Sequence, residues 1–165
     1  MLFKWFSRLL HTIVFLAFLF IFIHIFAPIL VEASPIPNVF INEIHYDNSG
    51  SDAGEAIEVA ATAGTNLNGW SLALYNGSNG TVYNIRNLSG VVGNSGNGFG
   101  FVTENISGIQ NGSPDGVALI DNNGNVIQFL SYEGTLTATN GPANGLSSTN
   151  IGVSEASSTA VGFSL

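Results

Sequence analysis

Acidic side chains are concentrated in one short stretch of the sequence, where they could bind a metal ion. The carboxylates are those of Glu43, Asp47, Asp52, Glu55 and Glu58. Carboxylates and the side-chain oxygens of Asn and Ser are the ligands that calcium takes from a loop. The spacing is not that of an EF-hand, because the glycine comes too early in the loop. We predict Asp47, Asp52 and Glu55 as candidate calcium ligands, although an acidic turn beside a solvated strand face explains the same pattern.

No arrangement typical of an enzyme accompanies these carboxylates. Glu55 and Glu58 would lie on opposite faces of a strand, so they cannot form the acid–base pair of a glycosidase. His45 is the only histidine after the leading segment, and no G-x-S-x-G nucleophile motif occurs. Zinc would need several His or Cys ligands, and the chain has no cysteine. The sequence therefore predicts a protein that is not an enzyme, with no catalytic residue and no cofactor other than calcium.

The elements that would hold these residues are short β-strands. Gly, Asn, Ser and Thr recur every few residues after residue 38 and separate runs of β-branched and aromatic residues, a pattern typical of strands and tight turns. The predicted strands are Val39–Tyr46, Ala56–Ala61, Trp70–Asn76, Thr81–Leu88, Gly98–Thr103, Gly116–Asp121, Val126–Tyr132 and Ile151–Ser154. Together they indicate an all-β antiparallel sandwich.

Two local details refine this prediction. Asp121–Asn125 contains an Asn-Gly pair between two apolar runs, which favours a hairpin turn. Trp70 is in phase with Leu72 and Leu74, so we expect it to face the core. Tyr75 lies on the alternate face and is the more plausible exposed aromatic residue.

The first 33 residues have the pattern of a secretory signal. Lys4 and Arg8 precede an apolar run at 9–31, which Pro28 interrupts before a small-residue end. The run is also long enough for an uncleaved signal anchor, since roughly 20 residues cross a bilayer. We expect a signal peptide or anchor helix at 1–33, a linker at 34–38 and one domain at 39–165. The domain would be secreted or held at the cell surface, touching the membrane only through the N-terminal segment.

The charge of the exported part excludes one class of partner. After residue 33 the sequence has ten acidic residues and one basic residue, Arg86, a formal charge of −9. Nucleic-acid binding relies on Lys and Arg that replace counterions along the phosphates. We therefore expect no direct nucleic-acid binding by this domain.

Four segments resemble the lamin-tail domain family in order and spacing. They are Ile41–Asp47, Gly54–Val59, Leu67–Leu72 and Asp115–Asp121, which read INEIHYD, GEAIEV, LNGWSL and DGVALID. The resemblance implies an immunoglobulin-like sandwich that acts as a non-catalytic surface for a protein or cell-surface partner. In exported bacterial proteins it also implies an alternative role, as an accessory domain of an extracellular hydrolase such as a nuclease or phosphatase. A third alternative is calcium-dependent adhesion through the acidic loop.

The C-terminal end differs from the family pattern. Members usually close with further strand residues, whereas Gly162–Leu165 resembles the start of a strand. We therefore expect a sandwich that is incomplete at this end. An incomplete closing strand would expose a sheet edge that can pair with another chain.

Overall fold

The computed structural model describes residues 38–165, which fold into eight β-strands. Seven of the eight predicted strands are confirmed with ends shifted by at most two residues. The strands are β1 Val39–His45, β2 Ala56–Thr62, β3 Ser71–Asn76, β4 Thr81–Asn87, β5 Phe99–Asn105, β6 Asp115–Ile120, β7 Val126–Tyr132 and β8 Thr149–Asn150. The predicted eighth strand at Ile151–Ser154 is wrong, since the last strand lies just before it.

The strands form two sheets. One has three strands in the order β1-β2-β5, and the other has five in the order β4-β3-β6-β7-β8. All pairs are antiparallel except β7 and β8, which pair in parallel over two residues. The all-β sandwich predicted from the sequence is therefore confirmed, and the short parallel pair corrects its wholly antiparallel description.

The main core lies between the two sheets. Inward side chains alternate along the strands, as in Leu72 and Leu74 of β3, while Trp70 is partly buried against the same core. The expected core position of Trp70 is therefore confirmed. The buried members of this cluster are Val39, Ile41, Ile44, Tyr46, Ile57, Val59, Ala61, Leu67, Leu72, Leu74, Leu88, Val92, Ile106, Ile109, Val117, Leu119 and Tyr132.

A second apolar cluster covers the other face of the five-stranded sheet. Tyr75 is 0 % exposed there, so the prediction that it is an exposed aromatic residue is wrong. It packs against Phe129 and against the segment at 134–148, here called the cover segment, which contributes Leu136, Ala138 and Ala143. The Tyr75 hydroxyl also accepts a hydrogen bond from the Ala143 N–H. Strand alternation predicts which face a residue occupies, but a loop that returns from far along the chain decides whether that face is solvated.

The predicted hairpin between β6 and β7 is confirmed. Asp121 Oδ1 accepts hydrogen bonds from the backbone N–H groups of Asn123 and Asn125 at 2.9 and 2.7 Å. Gly124 has a φ of +85°, a conformation that glycine adopts without the steric cost of a Cβ. The Asn-Gly signal and the Asp side chain together explain why the chain reverses here.

The predictions for residues 1–33 and for most of the linker lie outside the described residues. Within residues 38–165, no helix has the length and apolar character needed to cross a membrane.

Candidate functional site

A buried polar cluster joins β1 to the C-terminal part of the chain. The Glu155 carboxylate is 2.7 Å from His45 Nδ1 and accepts hydrogen bonds from the N–H groups of Tyr46 and Asp47 at 2.6 and 2.9 Å. The Glu155 N–H in turn donates to the Tyr46 hydroxyl at 2.7 Å. The Tyr46 ring stacks on Tyr132 at 3.9 Å between centroids. Glu155 therefore attaches a segment without regular strands to the first strand of the sandwich.

The surroundings of His45 favour its charged form. Burial opposes the charge, but the hydrogen bonds to Glu155 and to the Ala53 carbonyl, with the negative charges of Glu155 and Glu55, outweigh it and raise the pKa of His45. Its Nε2 lies 3.1 Å from the Ala53 carbonyl oxygen and 3.0 Å from Asn48 Nδ2, so this nitrogen donates to Ala53 when the ring is protonated there and accepts from Asn48 when it is not. The cluster therefore contains a buried His45–Glu155 contact, which is an ion pair when the imidazole is protonated.

We expect the raised pKa of His45 to make folding stability depend on pH. Because the folded-state pKa exceeds the unfolded value of about 6.5, the ion pair stabilises fully below that pH and less as pH rises through the folded pKa. Urea unfolding between pH 5.5 and 8.5 measures this dependence. The free energy of unfolding should fall more steeply with pH for the full-length chain than for its His45→Gln variant. Equal slopes for the two proteins would contradict the assignment, and an imidazole NMR titration should give a midpoint that Glu155→Gln lowers.

The structure brings together two of the three predicted calcium ligands. Asp47 and Asp52 lie in the same loop, and burial, together with the negative charge of Asp52, raises the pKa of Asp47. Glu55 is engaged elsewhere, since its Oε2 accepts from the Gly108 N–H at 2.7 Å. Within residues 38–165, no three His, Cys, Asp or Glu side chains are grouped as metal ligands. Calcium binding stays a prediction.

Two buried acceptor atoms in this region have no hydrogen-bond partner within residues 38–165. They are Asn48 Oδ1 and Glu55 Oε1. The Asn48 side chain donates through Nδ2 to the Ala53 carbonyl at 2.8 Å, which fixes the loop between β1 and β2. The Asn48 hydrogen bond lies within its own loop and the Glu55 hydrogen bond reaches the loop after β5, an arrangement that supports a structural role for this cluster.

A polar cavity of about 270 Å³ lies beside the turn between β3 and β4. Asp115 is 3 % exposed at its wall, and its carboxylate accepts hydrogen bonds from the Gly77 and Gly112 N–H groups, each at 2.8 Å. Burial raises the pKa of Asp115, whereas these two N–H groups act in the opposite direction. The carboxylate joins two loops, and the other lining residues are neutral: Asn76, Ser78, Gln110, Asn111, Gly112, Ser113 and Pro114.

The outer face of the three-stranded sheet carries exposed aromatic side chains. Phe40, Ala60 and Phe101 are cross-strand neighbours in one row, and Phe99 lies on the same face two residues before Phe101. Phe99 is 37 % and Phe101 47 % exposed, whereas Ala60 is 1 % exposed. Because Ala60 is outside the core cluster, the flanking side chains must cover it. We call Phe40, Phe99 and Phe101 the aromatic platform.

Two carboxylates lie in the next row of the same face. Glu43 and Glu58 are direct cross-strand partners. Asn42 Nδ2 and Thr103 Oγ1 donate hydrogen bonds to Glu58 at 2.9 and 3.2 Å, and Ser164 donates to Glu43 at 3.1 Å. Within residues 38–165, neither carboxylate has a basic side chain within ion-pair distance. Neutral groups therefore hold both negative charges at the surface beside the platform.

Sequence reasoning missed the two features that define these regions. The sequence marked His45 only as the single histidine after the leading segment, and its pairing with Glu155 spans 110 positions that no local pattern connects. The aromatic platform could have been found from the alternation of Phe99 and Phe101 along β5, had the position of that strand at the sheet edge been known.

Comparison with known proteins identifies the family of the chain. Neither a search of curated proteins nor a search of solved structures found a match to this chain. The family model of the Lamin Tail Domain matches residues 32–134, more than half of the sequence. The matched region includes β1 to β7, so the resemblance noted in four short segments extends over both sheets. The chain belongs to the Lamin Tail Domain family.

Proposed function

We propose that this domain is a non-catalytic, exported module that attaches to a protein or cell-surface partner. The supporting observation is the aromatic platform, since Phe99 and Phe101 expose large apolar surfaces on one face of an edge strand. Adjacent exposed aromatic groups often mark interaction surfaces, whereas isolated exposed apolar residues are common on any protein. The basic and apolar pattern at 1–33 supports export, and the accessory-domain alternative stays a prediction.

A site-specific cross-linking experiment tests this proposal. The photoreactive residue p-benzoylphenylalanine replaces Phe101 in the full-length chain, which is expressed in its source cells and irradiated intact. We expect a discrete adduct of higher mass, and surface protease treatment should remove it because the partner would be outside the cytoplasm. The matched control places the same residue at Ile85, a 49 % exposed apolar position on β4 of the other sheet. Failure to form an adduct at 101, or equal adducts at both positions, would reject the proposal.

A further inference from the structure

The two edges of the three-stranded sheet differ in how their backbone groups are used. On β1, the N–H and carbonyl of Ile44 exchange hydrogen bonds with Leu165 at 3.1 and 2.9 Å. The Ile41 N–H on the same edge donates to Gln128 Oε1 at 2.7 Å. These contacts occupy the outward N–H groups of Ile41 and Ile44, so the β1 edge is partly closed to another strand.

The β5 edge is open along half of its length. Hydrogen bonds from Ile106 to Glu55 and from Ala63 to Gly98 show that even-numbered residues of this strand bond to β2. Odd-numbered residues must therefore direct their N–H and carbonyl groups outward. Phe99 is capped by Ser95 and Gly96, but Phe101, Thr103 and Asn105 have no partner for these groups within residues 38–165. This row of free donors and acceptors can template an added strand.

The side chains beside this edge specify the chemistry of the strand that fits. Phe101 and Thr103 point to the outer face, so an added strand would place alternate side chains next to the aromatic platform and next to Thr103. Glu58 lies immediately beyond Thr103 and Glu43 beyond Glu58, without a basic partner within the described residues. A long basic side chain can reach across Thr103 to Glu58, and its stem can pack on the Phe101 ring.

Charge also distinguishes a separate partner from a second copy of the chain. Residues 34–165 have ten acidic side chains against Arg86 alone, so two copies would bring like charges together. An apolar and basic segment complements both the overall charge and the local Glu43–Glu58 pair. Main-chain hydrogen bonds would contribute affinity, and the alternate side chains would contribute specificity.

We propose that β5 binds an extended segment of a partner protein as an additional strand, and that this segment alternates apolar with Lys or Arg residues. The inference rests on the proposed function and specifies its binding surface and its ligand chemistry. The free edge at 101–105 has room for a strand of about five residues, and Phe101 and Glu58 are the recognition residues of the outer face.

Peptide binding to the full-length chain in a non-ionic detergent tests this inference. The probe is a fluorescent seven-residue peptide of alternating valine and lysine, and fluorescence anisotropy measures its dissociation constant. We expect saturable binding that weakens with salt, and no binding of the matched peptide with glutamate in place of lysine. Two further peptides have the same sequence but are N-methylated at either the odd or the even backbone positions. One of them should bind at least tenfold more weakly, because its methyl groups replace the N–H donors that face the β5 edge.

Variants of the protein separate strand addition from general attraction to an acidic surface. Thr103→Pro should weaken binding at least tenfold, because it removes an outward N–H without removing a bond to β2. Thr103→Val keeps that N–H and should stay within threefold of the unaltered chain. Phe101→Ser should cost about tenfold and Glu58→Gln severalfold. Ile85→Ser on β4 and Glu104→Gln, which alternates to the opposite face of β5, should have less than a twofold effect.

The outcomes distinguish this inference from the proposed function. No binding of the valine–lysine peptide, equal binding of the two N-methylated peptides, or equal losses in the control variants would overturn strand addition. Strand addition by a separate partner would also be overturned if the chain dimerised independently of salt and Phe101→Ser abolished that dimerisation. A cross-linked adduct at position 101 with no peptide binding would retain the interaction module and reject only this partner chemistry. Thermal unfolding of each variant checks that it is folded. If Thr103→Pro does not fold, the comparison of the two N-methylated peptides on the unaltered chain decides the question.

Discussion

Replacing Glu155 with alanine is expected to lower the free energy of unfolding by about 3–5 kcal/mol, as removal of one partner of a buried ion pair usually does. The carboxylate has three acceptor contacts, with His45 Nδ1 and with the N–H groups of Tyr46 and Asp47. Its loss would leave these donors buried without an acceptor, and Glu155 is itself only 4 % exposed. Urea unfolding of the full-length chain in a non-ionic detergent, followed by the fluorescence of Trp70 against the core, measures the change.

The same experiment has two informative controls. Glu155→Gln keeps a carbonyl oxygen for one or two of the donors, so it should cost less than the alanine variant. Within residues 38–165, the exposed Glu43 carboxylate accepts a hydrogen bond from Ser164 alone, so Glu43→Gln should change stability by no more than about 0.5 kcal/mol. A loss for Glu155→Ala as small as that for Glu43→Gln would show that the C-terminal segment is not held by this side chain.

Replacing Gly80 with alanine is expected to cost about 2–5 kcal/mol, the sum of a backbone and a packing penalty. Gly80 has a φ of +73°, and an added Cβ would lie 2.2 Å from the Thr137 carbonyl oxygen. The clash is with backbone of the cover segment, so no side-chain rotation can relieve it. The Gly80 carbonyl also accepts a hydrogen bond from the Thr139 N–H at 2.8 Å, which a displaced segment would lose.

Gly64 provides the matched control, because its φ of +89° is similar and no other atom of residues 38–165 lies within 4 Å of an added Cβ. Gly64→Ala should cost only the backbone penalty of about 1–2 kcal/mol. Hydrogen exchange should show faster exchange across residues 134–148 in Gly80→Ala but not in Gly64→Ala. Equal losses of stability in the two variants would mean that the contact with the cover segment contributes nothing.

Local patterns in the sequence were sufficient to predict most of the fold. Alternation of apolar residues located seven strands, and the Asn-Gly pair at 123–124 placed a hairpin turn between β6 and β7. These signals succeed because the period of a strand and the positive φ of a turn depend on neighbouring residues alone. The ordered segments from Ile41 to Asp121 also indicated the family that the comparison then established.

Pairing between distant residues required the folded structure. Tyr75 alternates with the core residues of β3, a position that predicts a solvated side chain. The cover segment, some 60 residues later in the chain, nevertheless buries it. The predicted ligands Asp47 and Glu55 lie close in sequence, but the Glu55 carboxylate accepts from the Gly108 N–H, whereas the Asp47 carboxyl lies beside Asp52. The direction of a side chain in a loop depends on which other loops supply hydrogen-bond donors to it. The local sequence does not identify those loops.

The open edge of β5 illustrates the same division. The short-range periodicity of the sequence predicted that the chain around Phe99–Asn105 is extended. It also predicted which of its side chains share a face. Whether a strand is internal or at an edge depends on the order of strands in the sheet, a long-range property determined by packing of the whole chain. Packing therefore placed Phe101 at the surface and, among residues 38–165, left its backbone N–H and carbonyl without a hydrogen-bond partner.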